Sequence, residues 1–550
     1  MSAEDAARSF GFEKALARCF ADLSNLRETT VIRSLPFLLC GGALAAVAQT
    51  PCEKLSSVKL ENAIITAAES VAAGPYRAAA PPAAPAAPAA PAPAGRAGAP
   101  AGRGAAPAPP VLPAFCRVAL TLTPSSDSHI EMELWMPAEN WNNKYQAVGN
   151  GGWAGSIQGF ANMQTALREG YATSGNDTGH KGADPVFGLN HPEKLVDFAY
   201  RANHEMVLKS KALIAAFYGK GPRLSYWNGC STGGRQGLME AYKYPEDFDG
   251  VIAGAPANYQ THLHAWDMMV GVGVRKDDQH FVSTPKLNAL NKAVLAACDA
   301  MDGVKDGLLN DPRKCKFDPA ALLCKTGANS DDCLTPAELE SVKLVYSSAK
   351  KKSGELIFPG KEPGSETGWA GIVANTPAPA MLSMGSFMYA TYNDANWDWR
   401  KFDLDRDVAA ADEKFGYVNA PPDLTGFKNH GGKLLLYHGW NDTAISPENT
   451  VNYYESLLKK MGSKQDSWVR LFMEPGMQHC QGGPGPDQFN KVAILERWRE
   501  SNAAPDMILA SHVTGNNVDM TRPLCPYPQV AVYKGTGSAN DAANFSCKTP

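Results

Sequence analysis

The pattern of apolar and polar residues changes in character at about residue 140. Apolar and polar residues alternate along 117–123 and 129–137, which predicts two antiparallel strands. Beyond them, short apolar runs alternate with helical patterns: strands are predicted at 145–148, 171–174 and 224–228, and a helix near 196–218. This alternation predicts a mostly parallel sheet with helices on both faces.

The alternation is interrupted between about residues 257 and 422. This segment is rich in glycine and proline, contains four cysteines and includes an aromatic stretch at 387–399. The earlier pattern resumes with an apolar strand at 433–439. We therefore interpret 257–422 as a lid domain inserted between two parts of one core, 49–256 and 423–550.

The composition argues against several classes of function. The 550 residues carry a formal net charge of −4, and 20% are charged and 44% hydrophobic, which is ordinary for a soluble globular protein. There is no basic block or stripe that would indicate a nucleic-acid partner. The sequence carries no pattern that defines an oligomeric state.

Residues 1–48 are expected to form an N-terminal extension and a signal peptide. Arg33 is followed by an apolar run at 35–44, too short to span a membrane, and then by the small-x-small cleavage pattern at 46–48. The segment before Arg33 is long and acidic for a signal peptide, so it is either native or the result of a misplaced start. No other stretch is a transmembrane candidate, and we expect a secreted or periplasmic protein.

Ten of the twelve cysteines lie beyond residue 50, and an even number favours disulfides in an oxidising compartment. Zinc is the rival interpretation, but the sequence contains no C-x2-C pair. Cys52 and Cys116 flank residues 78–113, which are almost entirely alanine, proline and glycine. We pair these two cysteines and interpret 78–113 as a surface loop; an interdomain linker is the alternative.

Ser231 is a candidate nucleophile. The segment Gly229-Cys230-Ser231-Thr232-Gly233 matches G-x-S-x-G, follows a predicted strand and precedes a helical pattern at 237–242. This is the context of a nucleophile elbow, in which a sharp turn exposes the serine hydroxyl above the sheet. An ordinary strand–helix turn is the alternative.

A serine of this kind needs N–H donors for the oxyanion that forms when it attacks a carbonyl group. One donor is expected to be the backbone N–H of Thr232, directly after the nucleophile. The second is expected from the glycine turn after the strand at 145–148, where Gly152 or Gly151 allows a substrate to approach the backbone. An ordinary β-turn is the alternative.

Asp442 and His479 are the candidates for the rest of a catalytic triad. A serine hydroxyl needs a base, here a histidine oriented by a carboxylate, and α/β-hydrolases place them in the order Ser, Asp or Glu, His. Each candidate follows a predicted strand, at 433–439 for Asp442 and at 468–473 for His479. His438 is the main rival for the base and is expected to be structural.

Two pairs of neighbouring residues support this choice. Cys230 stands next to Ser231, and Cys480 stands next to His479. If the serine and the histidine meet, the cysteines also come close, and a disulfide requires Cα atoms within about 7 Å. The sequence therefore predicts a Cys230–Cys480 bridge that clamps the nucleophile and the base together.

The predicted lid contains a candidate cation site. Asp299, Asp302 and Asp306 surround a glycine, and the carbonyls of Val304 and Leu308 are suited to complete an oxygen shell for Ca²⁺. The spacing is not that of an EF-hand, and a hydrated acidic loop is the alternative. The cysteines that flank the loop are expected to close it with a disulfide: Cys298 and Cys315.

These residues together resemble the tannase and feruloyl esterase family, which also contains the enzyme that hydrolyses mono(2-hydroxyethyl) terephthalate. In that family the serine and the histidine each carry an adjacent cysteine and the cysteines are bridged; Asp442 and the loop at 299–307 also match. The resemblance, over roughly residues 52–547, implies an α/β-hydrolase core with a lid, a structural Ca²⁺ and esters of aromatic acids as substrates. It also implies two further disulfides: Cys324–Cys333 and Cys525–Cys547.

Four aromatic residues of the lid are candidates for contact with an aromatic acyl ring, although each is equally expected in the lid's own core: Phe387, Tyr389, Tyr392 and Trp397. A terephthalate monoester has a free carboxylate that suits an arginine, but residues 381–392 contain none. We therefore expect a secreted serine esterase acting on feruloyl, hydroxycinnamoyl or galloyl esters. The alternatives are a terephthalate monoester hydrolase, a serine peptidase and a non-catalytic binding protein.

Overall fold

A nine-stranded mixed sheet lies at the centre of the computed structural model, which describes residues 49–76 and 109–549. In chain order the strands are β1 Ala63–Val71, β2 Phe115–Leu122, β3 Ile130–Pro137, β4 Lys144–Val148, β5 Ala172–Asn176, β6 Leu224–Cys230, β7 Gly250–Gly254, β8 Lys433–Gly439 and β9 Val469–Glu474. Across the sheet their order is β1-β2-β3-β5-β4-β6-β7-β8-β9. From β5 to β9 this sheet is parallel, whereas β1, β2 and β3 pair antiparallel with their neighbours and β3 pairs antiparallel with β5.

The burial of the strands follows their place in the sheet. Residues of β2 alternate between buried and half-buried, as expected for an antiparallel strand with one covered face, while every residue of β8 is buried because helices cover both faces. The predicted antiparallel strands and the parallel sheet are therefore confirmed. Edge strand β1 has no fully buried residue, so its sequence gives little hydrophobic contrast.

Twelve α-helices pack around the sheet and within the inserted segment of the described chain. They are α1 Phe160–Arg168, α2 Pro192–Val196, α3 Ala202–Tyr218, α4 Thr232–Lys243, α5 Gln260–Val274, α6 Thr284–Cys298, α7 Pro336–Tyr346, α8 Met381–Gly385, α9 Leu404–Phe415, α10 Thr425–Asn429, α11 Pro447–Met461 and α12 Lys491–Ser501. The helix predicted near 196–218 begins earlier, at Pro192, and continues through a π-helical turn at Asp197–Arg201. Within the described ranges, no helix combines the length and apolar character needed to cross a membrane.

Short two-stranded ladders complete the described structure. They pair Gly74–Pro75 with Val111–Leu112, Ala349–Lys350 with Leu356–Phe358, Ile508–Thr514 with Asn517–Leu524, and Val530–Tyr533 with Phe545–Lys548. The first of these is a correction, since residues 111 and 112 form a strand where a surface loop was expected over 78–113. Residues 78–108 of that loop, and the expected extension and signal peptide at 1–48, lie outside the described residues.

The segment between β7 and β8 has a hydrophobic cluster of its own. Side chains from α5, α6, α7 and α9 meet there around the buried rings of Trp266, Trp369 and Phe387. The described residues nevertheless belong to one compact unit. The lid boundaries at 257 and 422 therefore remain a prediction.

All ten cysteines among the described residues are paired as predicted. The Cα–Cα distances of the bonds lie between 4.9 and 6.3 Å. The pairs are Cys52–Cys116, Cys230–Cys480, Cys298–Cys315, Cys324–Cys333 and Cys525–Cys547.

Candidate active site

Ser231 occupies a sharp turn between β6 and α4. Its backbone has φ 63° and ψ −126°, a conformation that a residue with a side chain rarely adopts. The turn is closely packed, because a side-chain carbon at Gly229 would collide with the carbonyl of Gly233, and one at Gly233 would lie 3.0 Å from the carbonyl oxygen of Asn150. The segment thus has the geometry of a nucleophile elbow, which presents the serine at the carboxyl edge of the sheet.

Asp442 lies in the loop after β8 and is fully buried. Its Oδ1 accepts the backbone N–H groups of Ala444 and Ile445 at 2.7 and 2.9 Å. Its Oδ2 accepts the Nδ1–H of His479 at 2.6 Å. Burial raises the pKa of Asp442, but the two histidines bonded to it outweigh burial and hold that pKa well below its usual range, so this carboxyl is ionised.

His479 follows β9 and keeps 31% of its side chain exposed. Because Nδ1 donates to Asp442, the lone pair of Nε2 is left free to take a proton. Burial lowers the pKa of His479, but the charge and the hydrogen bond of Asp442 raise it above its ordinary value. The structure therefore brings the predicted acid and base together in the arrangement that a triad requires.

His438, the rival base, is also bonded to Asp442 but is fully buried. Its Nε2 lies 2.9 Å from Oδ2 of Asp442, and its Nδ1 lies 2.7 Å from the hydroxyl of Thr450. Both ring nitrogens are thus occupied by protein groups, and burial lowers the pKa of His438. This histidine has no free lone pair for a substrate and holds Asp442 in place.

The Cys230–Cys480 disulfide joins the nucleophile segment to the histidine segment. Its Cα atoms are 6.3 Å apart. A ring nitrogen of His479 lies within 4.8 Å of both sulfur atoms. The bond therefore sits directly beside the ring of His479 and joins it to the residue that precedes Ser231.

Replacing both Cys230 and Cys480 with alanine is expected to lower kcat by about 10- to 100-fold, because a displacement of the base by about 1 Å is enough for such a loss. The measurement is kcat on an aryl ester, with thermal unfolding to confirm that the variant is folded. The matched control is the double alanine variant of Cys324 and Cys333, which should keep its kcat. Equal kcat values for both variants and the wild type would refute the clamp.

The oxyanion donors predicted at Thr232 and Gly152 lie next to each other. The hydroxyl of Thr232 donates to the carbonyl of Gly152 at 2.8 Å, and both residues line the cavity above Ser231. Among the described residues, neither backbone N–H has a hydrogen-bond acceptor. The prediction of Gly151 as an alternative donor needs correction. Its N–H already donates to Oε1 of Gln158 at 2.8 Å, so it is not available to an oxyanion.

A cavity of about 210 Å³ opens over Ser231. Apolar side chains dominate its lining, among them Leu263, Trp266 and Ile445. One stripe of α5 also supplies polar groups, which sequence reasoning missed because a helical stripe in the lid carries no motif: Gln260, His264 and Asp267, followed by Arg275 just beyond the helix. The cavity is suited to a ring-shaped, mostly apolar acyl group.

The four aromatic residues predicted to contact the substrate do not line this cavity. Phe387 is fully buried, stacks on Trp397 at a centroid distance of 5.6 Å and meets the edge of Phe402 at 5.2 Å. Tyr389 is buried in the same cluster, and Tyr392 stacks on Trp397. The prediction of substrate contact was wrong for this cavity. Phe387 and Tyr389 are buried in the hydrophobic cluster of the inserted segment, and Trp397 packs against that cluster. Tyr392 is exposed.

An arginine does lie in the cavity wall, contrary to the expectation based on residues 381–392. Arg275 lines the cavity, although residues 381–392 contain no arginine. Its guanidinium group donates to the carbonyl of Gly271 at 3.0 Å and to the carbonyl of Thr376 at 3.2 Å. The prediction considered only residues 381–392. The cavity wall also includes residues from 257–275, which are distant in sequence, and that range contains Arg275.

The predicted calcium loop folds around its own carboxylates. Oδ1 of Asp299 accepts the N–H groups of Asp306 and Gly307, and Oδ1 of Asp302 accepts that of Val304. Burial, more than the neighbouring carboxylates, raises the pKa of Asp302 to about 6. Asp306 pairs with Arg522 at 2.7 Å, and among the described residues the three carboxylates do not converge within 4.8 Å of one another. A bound ion would therefore also need backbone carbonyls, such as those of Val304 and Leu308.

The sheet, the elbow and the loops after β8 and β9 define an α/β-hydrolase. Within that class, the chain belongs to the tannase and feruloyl esterase family, whose model matches residues 116–548. It is a carboxylic ester hydrolase of this family, and the expectations of fold and enzyme class are confirmed.

Several relatives are similar over most of the chain. An uncharacterised esterase of Xanthomonas campestris is 36% identical over 496 residues, covering 79% of this chain and 84% of that protein. A probable feruloyl esterase B-1 of Aspergillus flavus is 35% identical over 454 residues, covering 78% and 86%. The crystal structure of feruloyl esterase B from Aspergillus oryzae matches with a TM-score of 0.81 at 32% identity, over 90% of this chain and 99% of that one.

Proposed function

We propose that this protein is a serine esterase that cleaves esters of aromatic carboxylic acids through Ser231, His479 and Asp442. The observation that carries the proposal is the bond between buried Asp442 and His479 next to the elbow of Ser231, below a largely apolar cavity. The name feruloyl esterase, which two of the similar proteins bear, supports an aromatic acyl group. The five disulfides support an oxidising compartment, so we propose a secreted or periplasmic location.

In the proposed reaction, the hydroxyl oxygen of Ser231 attacks the ester carbonyl while its proton moves to Nε2 of His479. The N–H groups of Thr232 and Gly152 bind the oxyanion of the tetrahedral intermediate. The protonated His479, stabilised by Asp442, gives its proton to the leaving alcohol, and an acyl-enzyme remains. Water then attacks this ester with His479 again as the base, which releases the acid and restores the serine.

The pH dependence of kcat/KM should follow the protonation of His479. The protonated ring cannot accept the proton of Ser231, so activity is lost as the pH falls through the pKa of this histidine. Because Asp442 raises that pKa, the midpoint of the acid limb is expected above about 6.5, the ordinary value for histidine. A pH profile of kcat/KM measures it, and a midpoint below about 5.5 would contradict the assignment.

We also propose that the loop of Asp299, Asp302 and Asp306 binds a structural Ca²⁺. The support is that, within the described residues, only Asp306 of the three has a salt-bridge partner, Arg522. A ligand that binds only the folded state stabilises it, so EDTA is expected to lower the Tm by about 5 to 10 °C, and Ca²⁺ should restore it. Asp302→Asn should lose most of this shift, whereas Asp331→Asn, at an exposed aspartate of the lid, should keep it. A Tm of metal-depleted wild type that responds to neither EDTA nor Ca²⁺ would exclude the site.

The substrate class is tested by kcat/KM for methyl ferulate, methyl gallate and mono(2-hydroxyethyl) terephthalate. The proposal expects turnover of at least one of the first two, and none by Ser231→Ala. Folded, calcium-loaded enzyme that hydrolyses a short aliphatic ester but none of these three would retain the esterase and remove the aromatic acyl group.

A further inference from the structure

Helix α5 runs along the cavity from the nucleophile outward. Just before it, the N–H of Ala257 donates to the carbonyl of Ser231 at 3.2 Å, which fixes this end beside the nucleophile. Gln260 and Asp267 follow on the cavity wall. At 1.5 Å per residue, Asp267 lies about 10 Å further along the helix axis than Gln260. The wall therefore carries a carboxylate at a depth that an aryl acyl group reaches and an acetyl group does not.

The carboxylate of Asp267 is only partly satisfied by the protein. Its Oδ2 accepts the hydroxyl of Ser383 at 2.6 Å. Within the described ranges, its Oδ1 has no hydrogen-bond partner, and no cation lies within 4.0 Å of either oxygen. Lys361 is the positive charge that acts on this carboxylate, but its ammonium group donates to the carbonyl of Ala444 at 3.2 Å and lies over the ring of Trp266.

A half-buried carboxylate in an apolar wall is costly unless it is hydrogen-bonded. Burial indeed raises the pKa of Asp267, while Lys361 and Ser383 oppose that change. An ionised carboxylate only accepts hydrogen bonds, so the ligand group that suits Oδ1 is a hydrogen-bond donor, and on the ring of an aromatic acyl group this donor is a hydroxyl. A second carboxylate placed there would be repelled.

We propose that Asp267, held in position by Ser383, accepts a hydrogen bond from a ring hydroxyl of the acyl group. This inference rests on the proposed aromatic esterase function and adds a residue that determines specificity. Asp267 favours acyl rings that carry a hydroxyl group over unsubstituted rings and disfavours rings that carry a carboxylate. Arg275, further out on the same wall, does not reverse this preference because its guanidinium is engaged by Thr376 and Gly271.

The test compares kcat/KM for methyl 4-hydroxycinnamate, methyl cinnamate and mono(2-hydroxyethyl) terephthalate. A hydrogen bond to a charged group distinguishes two substrates by about 10- to 100-fold, so the wild type should prefer the hydroxylated cinnamate by about that factor. Asp267→Ala should lose most of this preference, mainly by slowing the hydroxylated ester, while methyl cinnamate changes little. The same variant should hydrolyse the terephthalate monoester faster than the wild type does, because a repulsive charge is gone.

Opposite changes for two substrates distinguish a contact from a general loss of structure. Ser383→Ala should reduce the preference in the same direction to a smaller extent, which keeps the test valid if Asp267→Ala does not fold. Asp412→Asn is the matched control, since this lid aspartate bonds Thr261 and His262 and does not line the cavity.

Two results would overturn the role of Asp267 and leave the proposed function intact. One is wild-type enzyme that hydrolyses both cinnamates equally well, and the other is a preference that persists in both folded variants. Failure of the proposed function looks different, because the wild type would then hydrolyse neither the two cinnamates nor methyl ferulate nor methyl gallate; that outcome would overturn both proposals.

Discussion

Replacing Ser231 with alanine is expected to lower kcat by roughly 10⁵-fold or more, the loss typical when a triad nucleophile is removed. The physical reason is that no other group at the elbow can form the acyl-enzyme. The strained backbone at this position (φ 63°) belongs to the turn and is shared by the variant, so the fold should remain. The measurement is kcat for an aryl ester together with the Tm.

The Tm of Ser231→Ala should stay within a few degrees of the wild type, because the serine side chain makes no hydrogen bond within the described part of the chain. A Thr232→Ser variant, which keeps the hydroxyl that bonds Gly152, is the matched control and should retain most of the activity. Residual activity above a few per cent in Ser231→Ala would mean that another group attacks the ester.

The second large effect is expected at one of the two histidines that share Oδ2 of Asp442. His479→Gln should lower kcat by roughly 10⁵-fold, because glutamine cannot accept and return a proton. His438→Gln makes the same chemical change on the other side of the same oxygen. It should cost about 10-fold or less in kcat and act mainly on the Tm, because His438 is enclosed by Asp442 and Thr450.

This comparison separates the base from its supporting histidine with one kind of substitution. Equal losses of kcat in the two variants would show that the ring at 479 is not the base. A larger loss in His438→Gln would reverse the assignment.

The parts of the site that could be predicted from the sequence are those defined by chain neighbours. The elbow is a local pattern, G-x-S-x-G between a strand and a helix, and the structure contains it as a strained turn. The Cys230–Cys480 pair made it possible to predict that Ser231 and His479 lie close together. Bonded cysteines bring their chain neighbours together, here across a sequence separation of 250 residues. The strands followed from periodicity because buried parallel strands and half-covered antiparallel strands have different patterns.

The cavity wall could not be predicted in the same way. Asp267 and Ser383 are 116 residues apart, and neither belongs to a motif; only the packing of α8 against α5 brings them together. The aromatic stretch at 387–399 misled because a ring looks the same in a sequence whether it faces a substrate or a lid core. Gly151 and Gly152 were equivalent in sequence, and the hydrogen bond from Gly151 to Gln158 separates them.

The most direct test of the central claim is labelling with a fluorophosphonate, which reacts with a serine only when a neighbouring base activates it. Intact mass and peptide mapping of the labelled wild-type enzyme should place one adduct on Ser231, with loss of esterase activity in proportion to labelling. His479→Gln should label far more slowly and His438→Gln at nearly the wild-type rate. An adduct on another serine, or a fully active enzyme that carries no adduct on Ser231, would contradict the triad proposed here.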